Sequence, residues 1–365
     1  MEEWLERTRE EFPYLDGKIY LNSAGAGLAW SGQTAAVSRY YDGAARMGAD
    51  GQVLWEEQGA RTRERVARLL DVPLEDVGFY RNTSEVINLA ANSIAWHAGD
   101  EVVVAKDDFP SVQWAWLTAE QAGGKVIRVD PVAEDLREQR LLDALTPRTR
   151  VLAVTHVHTL TGTRLDLTRL GRACREVGAL LVVDGIQALG AIAPDLTYVD
   201  VYASAVFKWL LSGWGVGIGV FRERARAVLT PAYRGYRNAP PSSAMQYADP
   251  SYPGLYVLDA TLEYLEGIGW PMIYERVDRL SGQVAEAVAE AGITAVTPAS
   301  ARAGIVSFRV DDPIGCAARL RDKTIHVMGK FGFIRISPHF YNTTEEIDRL
   351  AEALAVDIHP ATQRG

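Results

Sequence analysis

A chain of 365 residues, 48% hydrophobic and 23% charged, is long enough for one large buried core with a smaller domain attached. The formal net charge of −9, with no block of basic residues, argues against a nucleic-acid partner, because phosphate-backbone binding needs clustered Lys and Arg. The two cysteines, Cys174 and Cys316, form no CxxC pair, so neither a zinc site nor a disulfide framework is expected.

The opening "MEEWLERTREEF" is charged and lacks the apolar stretch of a signal peptide. No apolar run approaches membrane-spanning length, and a cytoplasmic protein is the expectation. Strand-length apolar runs then alternate with helical patterns. "DVGFY" (76–80) leads into the helix "SEVINLAANSIAW". "EVVVA" (101–105) is followed by a helix near 111–123 and by "KVIRVD" (125–130). The helix "LREQRLLDAL" precedes "RVLAVTHV" (150–157), and "LTRLGRACREVG" precedes "ALLVVD" (179–184). "DVYASAV" (200–206) and "GVGIGVF" (215–221) close the series. Such Val/Ile/Leu runs predict an α/β fold with a mainly parallel sheet covered on both faces. Sheets of this kind bind ligands at the carboxyl ends of their strands.

Residues 230–253 break the pattern with a Pro-, Tyr-, Arg- and Ser-rich stretch, too long for an ordinary connector. Helices are expected again at 254–267 and 271–291. "IVSFRV" (305–310), a helix near 314–322, "IHVMG" (325–329), "FIRIS" (333–337) and the helix "TEEIDRLAEALAV" follow. Thr343 or Thr344 with Glu346 suggests a capping box. The expected division is an N-terminal segment (1–16), a large domain (17–253) and a small C-terminal α/β domain (254–365).

Two charges stand where apolar residues are expected. Asp184 ends the run "LLVVD", where a carboxylate ordinarily caps a helix or joins a loop salt bridge. Lys208 is the lone charge in "SAVFKWLLSGWGVGIG", and an unpaired ammonium is costly to bury. A lysine and a carboxylate at the ends of neighbouring strands match the needs of pyridoxal phosphate. Its aldehyde takes a lysine amine, and its ring nitrogen needs a carboxylate to stay protonated. An apolar setting lowers the lysine's proton affinity and frees the amine. In "FYRNTSEVINLAANSI", Asn82 and Glu85 can cap a helix in the ordinary way. The same helix start, with Thr83 and Ser84, can also hold a phosphate.

The ordered segments "NTSE", "DFPSVQWAW", "THVHTLTGTRLDL", "VVDGIQALG", "FKWLLSGWGVGIGVF" and "RISPHFYNTTEEID" resemble the class V aminotransferase-like group of fold type I pyridoxal-phosphate enzymes over about residues 18–355. That group includes cysteine desulfurases, selenocysteine lyases, isopenicillin N epimerase-like proteins and C–S lyases. The resemblance implies a seven-stranded-type, mainly parallel sheet and a homodimer with shared sites. It implies that Lys208 forms the Schiff base and acts as catalytic acid/base, and that Asp184 pairs with the ring nitrogen. Gln187 would bond the phenolic oxygen, with Thr159 beside it in place of a more usual asparagine. Thr83 and Ser84 would hold the phosphate. Phe109 would stack on the ring, with Trp114 or Trp116 as alternatives, and Arg335 would grip the substrate carboxylate. Tyr252, or less plausibly Ser251, would reach the other subunit's phosphate.

Three departures from the family pattern bear on the reaction. Ala205 and Phe207 replace the Ser and His that relatives carry before the lysine, unless Ser204 restores the hydroxyl. The mobile cysteine loop of desulfurases is missing from "VMGKFGFIR", and Cys316 in "DDPIGCAARL" reads as structural. Thr159 replaces the asparagine, and His158 beside it reads as a satisfied structural histidine. The expected function is a pyridoxal-phosphate enzyme acting on an α-amino acid, with C–S β-elimination of a cysteine conjugate first. Transamination and epimerisation are the alternatives, and a persulfide-forming desulfurase is disfavoured.

Overall fold

The computed structural model describes residues 3–357 apart from 241 and 243. Its strands in chain order are β1 (Ile19–Tyr20), β2 (Val77–Tyr80), β3 (Glu101–Ala105), β4 (Lys125–Val129), β5 (Thr149–Thr155), β6 (Leu180–Asp184), β7 (Val201–Ala205) and β8 (Gly217–Phe221). The remaining strands are β9 (Val306–Arg309), β10 (Ile325–His326), β11 (Met328–Lys330) and β12 (Phe333–Ile336). Strands β2 to β8 form one seven-stranded sheet in the order β2-β8-β7-β6-β5-β3-β4. The five strands from β7 to β4 are parallel, and β8 lies antiparallel to both β7 and β2. Every residue of β3, β6 and β7 is buried, as their continuous apolar sequences require under helices on both faces. The expected mainly parallel sheet is therefore present, strand for strand.

Differences from expectation have local causes. The helix expected near 111–123 is two short helices, Pro110–Trp114 and Leu117–Gln121. Between them the buried Trp116 donates its indole N–H to the Val112 carbonyl at 2.7 Å. A continuous helix would give that carbonyl to the backbone N–H of residue 116. "IHVMG" is not one strand but two. β10 pairs in parallel with β1, while β11 joins β12 and β9 in an antiparallel sheet. Thr343, not Thr344, caps the last helix: its hydroxyl accepts from the Glu346 N–H and Glu346 accepts from the Thr343 N–H, both at 3.2 Å.

The boundary expected at 253/254 falls inside the helix Tyr252–Ile268. Leu255, Leu258, Leu262 and Leu265 of that helix, with Ile273 and Val277 beyond it, are buried in the large sheet's core. The N-terminal segment reaches both cores: Phe12 and Leu15 enter the large one, and Ile19 and Leu21 just after it enter the small one. No helix among the described residues is long and apolar enough to cross a membrane.

Candidate active site

The parallel register sets Thr155 of β5 beside Asp184 of β6, and Asp184 beside Ala203 of β7. Lys208 follows three residues after the end of β7. These strand ends open into a cavity of about 570 Å³. Thr83, Ser84, Phe109, Thr159, Asp184, Gln187 and Lys208 all line it. Arg335 lines an adjoining cavity of about 850 Å³, which shares Phe109, Thr159 and Lys208 with the first. Lys208 thus stands where the two cavities meet.

The charges in this space are short of partners. Asp184 is buried, and the one hydrogen bond to its carboxylate among the described residues is from the Ile186 N–H at 2.9 Å. Burial pushes its carboxyl well above the ordinary carboxylate range, and the nearby Lys208 ammonium only partly offsets this. Lys208 has no ion-pair partner among the described residues. Burial lowers its ammonium, and the Arg335 guanidinium adds to the effect. Arg335 is itself buried, with Nη1 on the Thr159 carbonyl at 2.8 Å, Nη2 on Asn22 at 3.3 Å and Nε unpartnered. Burial lowers it to about 10. A buried guanidinium without a counter-anion is a receptor for a carboxylate.

Gln187 is placed as expected but its donors are taken. Its carbonyl accepts from the Trp209 indole at 3.0 Å, which fixes the amide's orientation because an indole N–H can only donate. Its NH₂ then donates to the Ala24 carbonyl and to the Thr159 hydroxyl, each at 3.0 Å. Thr159 also accepts from Arg335 at 3.3 Å. With two donors aimed at its oxygen, the Thr159 hydroxyl proton is the free donor at this corner of the cavity. His158 is structural: its ring nitrogens meet Thr161 at 2.9 Å and the Asp107 carbonyl at 3.1 Å.

Asn82 caps the helix Thr83–Asn92 by accepting from the Glu85 N–H at 2.9 Å, and Glu85 accepts from the Arg81 N–H at 2.6 Å. Capping and a phosphate cradle therefore coexist here. The Thr83 hydroxyl accepts from the Ala205 N–H at 2.8 Å, which leaves its proton for the cavity. Ser204 does not restore the missing hydroxyl, since it is buried against the Ala205 carbonyl and does not line the cavity. Ser111 does line it, 2.6 Å from the Ser84 hydroxyl. Sequence reasoning missed Ser111, because only the tertiary fold brings it to Ser84. Replacing Ser111 with alanine is expected to weaken cofactor binding by roughly tenfold, the worth of one phosphate hydrogen bond. Equilibrium dialysis of the reconstituted apoprotein measures this directly.

Of Phe109, Trp114 and Trp116, it is Phe109 that lines the cavity. Trp116 is buried against Trp96, and Trp114 is exposed beneath Arg128. Another wall was not expected: Phe207 and Trp214 stack with centroids 3.5 Å apart and planes at 16°. The signal for Trp214 was present, an aromatic between two glycines in a turn, where no core position exists. Tyr252 is not at this cavity in its own chain. Its hydroxyl accepts from Arg237 at 3.0 Å and faces Asp249 at 3.4 Å. Ser251 caps the following helix at Gly254. Cys174 and Cys316 are both buried away from either cavity.

The donor set fits pyridoxal phosphate. An unpaired lysine answers an aldehyde, an under-bonded buried carboxylate answers a ring cation, and hydroxyls at a helix start answer a phosphate. Residues 19–350 match the family described as Aminotransferase class-V. Isopenicillin N epimerase of Amycolatopsis lactamdurans is 31% identical over 331 residues, 80% of this chain and 83% of that protein. A probable cysteine desulfurase of Methanothermobacter thermautotrophicus is 26% identical over 390 residues, 96% of this chain and 97% of that one. The apo cysteine desulfurase of Thermococcus onnurineus NA1 superposes with a TM-score of 0.87 at 23% identity, covering 96% of this chain and 97% of that one. A C-DES variant of the same fold, TM-score 0.86, holds glycine covalently linked to its PLP cofactor. With residues 19–350 matched and the lysine, carboxylate and helix start in place, this chain belongs to the class V aminotransferase family of fold type I, and its cofactor is pyridoxal phosphate.

Proposed function

We propose that this amino-acid enzyme cleaves the Cβ–S bond of a cysteine conjugate by β-elimination. The observation that carries the reading is the turn between β11 and β12. It consists of Phe331 and Gly332 alone, and no cysteine lines either cavity among the described residues. A persulfide-forming route needs a nucleophilic thiol at the substrate sulfur, and both thiols of this chain are buried elsewhere.

Bound pyridoxal phosphate offers an aldehyde that links covalently to amines and a ring that delocalises negative charge from a substrate α-carbon. Asp184 holds the ring nitrogen's proton, and Thr83, Ser84 and Ser111 hold the phosphate end. Arg335 takes the α-carboxylate in a two-pronged grip and so orients the substrate. Lys208, with a lowered proton affinity and no competing partner, takes the α-proton. Phe207 supplies no proton donor or acceptor, so Lys208 also returns a proton to the leaving thiolate as the Cβ–S electron pair departs. The released enamine hydrolyses to pyruvate and ammonia.

The same proposal includes a cytoplasmic homodimer with shared sites. Trp214, Tyr233 and Tyr236, exposed aromatics near the cavity mouth and in the 230–253 segment, support a covering partner. Epimerisation is the second reading, favoured by the 31% relative. Incubation with cysteine S-conjugates separates the outcomes. Pyruvate and free thiol in equal amounts support elimination. A keto acid formed only with an amino acceptor, a D-product, or alanine with enzyme-bound persulfide overturns it.

A further inference from the structure

The cavity of about 850 Å³ runs from Arg335 and Lys208 toward the small domain. One wall is a single face of the helix Pro313–Asp322: Ile314, Ala317, Ala318 and Arg321 follow the i, i+3, i+4, i+7 spacing. The β11–β12 hairpin contributes Met328, Gly329, Lys330, Phe331 and Arg335. Met328 lies across from Arg335, and Lys330 stands on the same face, roughly 7 Å further along the strand.

Two apolar features of this wall are unfavourable in the free protein, and two exposed cations, Arg321 and Lys330, stand beside them. Ile314 and Phe331 are 72% and 77% exposed. Phe331 also holds a left-handed backbone, φ +56°, as the first residue of a two-residue hairpin turn with Gly332 at φ +80°, a conformation a bulky side chain ordinarily avoids. Among the described residues, neither Arg321 nor Lys330 has an ion-pair partner. The carboxylates in the cavity do not answer them. Asp107 is held by Arg137 at 2.9 and 2.7 Å, and Asp108 accepts from the Thr155 and Phe109 backbone N–H groups at 3.0 and 2.7 Å. The cavity thus combines apolar side chains, Ile314 and Phe331 among them, with the cations Arg335 and Lys208 and, on the small-domain helix and hairpin, Arg321 and Lys330.

We infer that the substrate is an α-amino acid whose side chain has an apolar stretch and ends in an anion. The α-carboxylate sits on Arg335, the apolar stretch crosses Ile314 and Phe331, and the distal anion lies between Arg321 and Lys330. This rests on the amino-acid reading of Arg335 given above, but not on which bond is cleaved.

The test is a binding titration that follows the cofactor's absorption band in the holoenzyme. S-(3-carboxypropyl)-L-cysteine is compared with its terminal carboxamide, which has the same shape without the charge. The acid is expected to bind at least tenfold tighter at low ionic strength, with the advantage shrinking as salt is added. In the Arg321→Gln/Lys330→Gln double variant the preference is expected to fall below threefold, with carboxamide affinity unchanged. Equal affinity for both ligands in the unmodified enzyme, or a preference that survives the double substitution, overturns the distal-anion inference alone. If neither ligand shifts the band, the placement of the α-carboxylate on Arg335 falls with it.

Discussion

Replacing Lys208 with alanine is expected to lower kcat by roughly 10⁴-fold, because in the proposed function one side chain would supply both the covalent link and the only acid/base at the α-carbon. The variant should be colourless after dialysis, whereas borohydride fixes the cofactor permanently in the unmodified protein. The fold should survive. Lys208 is buried without an ion-pair partner and its charge is disfavoured there, so the apoprotein of the variant should unfold no more easily than the original. Thermal unfolding of the two apoproteins separates loss of chemistry from loss of structure. Retained turnover would show that the lysine is not the reacting amine.

Asp184→Asn is expected to cost roughly 10³-fold in kcat with the cofactor still attached, since a neutral amide cannot hold the ring nitrogen's proton. Its effect on the apoprotein has the opposite sign. The Asp184 carboxyl is raised in the folded chain, so the native state keeps a proton there that the unfolded chain has released. Stability from this group is present below the unfolded value near pH 4 and is lost as pH rises through the higher folded value. The unmodified apoprotein should therefore lose stability on going from pH 4 to neutrality. Asp184→Asn should flatten that dependence in denaturant titrations. Saturating with cofactor should remove it from the unmodified protein as well, because the ring cation then pairs with the carboxylate.

The strands of the large sheet were legible because buried parallel strands leave a plain sequence trace of unbroken apolar residues. Lys208 and Asp184 were legible for the complementary reason: a charge inside such a trace is costly and asks for a purpose. Arg335 in "FIRIS" followed the same logic. What escaped depends on contacts between distant segments. Gln187 looks like a free donor until Trp209, Ala24 and Thr159 are placed around it. Ser111 joins the proposed phosphate site only when its short helix packs on Ser84. The break at Trp116 comes from a side chain taking a backbone acceptor, which hydrophobic periodicity does not register. Tyr252 came from the family resemblance as a residue reaching the other subunit's phosphate; within its own chain its hydroxyl meets Arg237 and Asp249.

The loop at residues 22–28 lies directly against the lysine segment. The Gly27 N–H donates to the Phe207 carbonyl at 2.8 Å, and a Cβ at Gly27 would meet the Lys208 carbonyl at 2.1 Å. That loop continues from β1, whose strand partner among the described residues is β10, residues 325–326. During synthesis this strand therefore waits for residues 325–326 before it can pair. The lysine pocket is therefore expected to close, and the cofactor to be captured, only after residues 325–326 have emerged. A truncated product should remain unloaded however well its large sheet has formed.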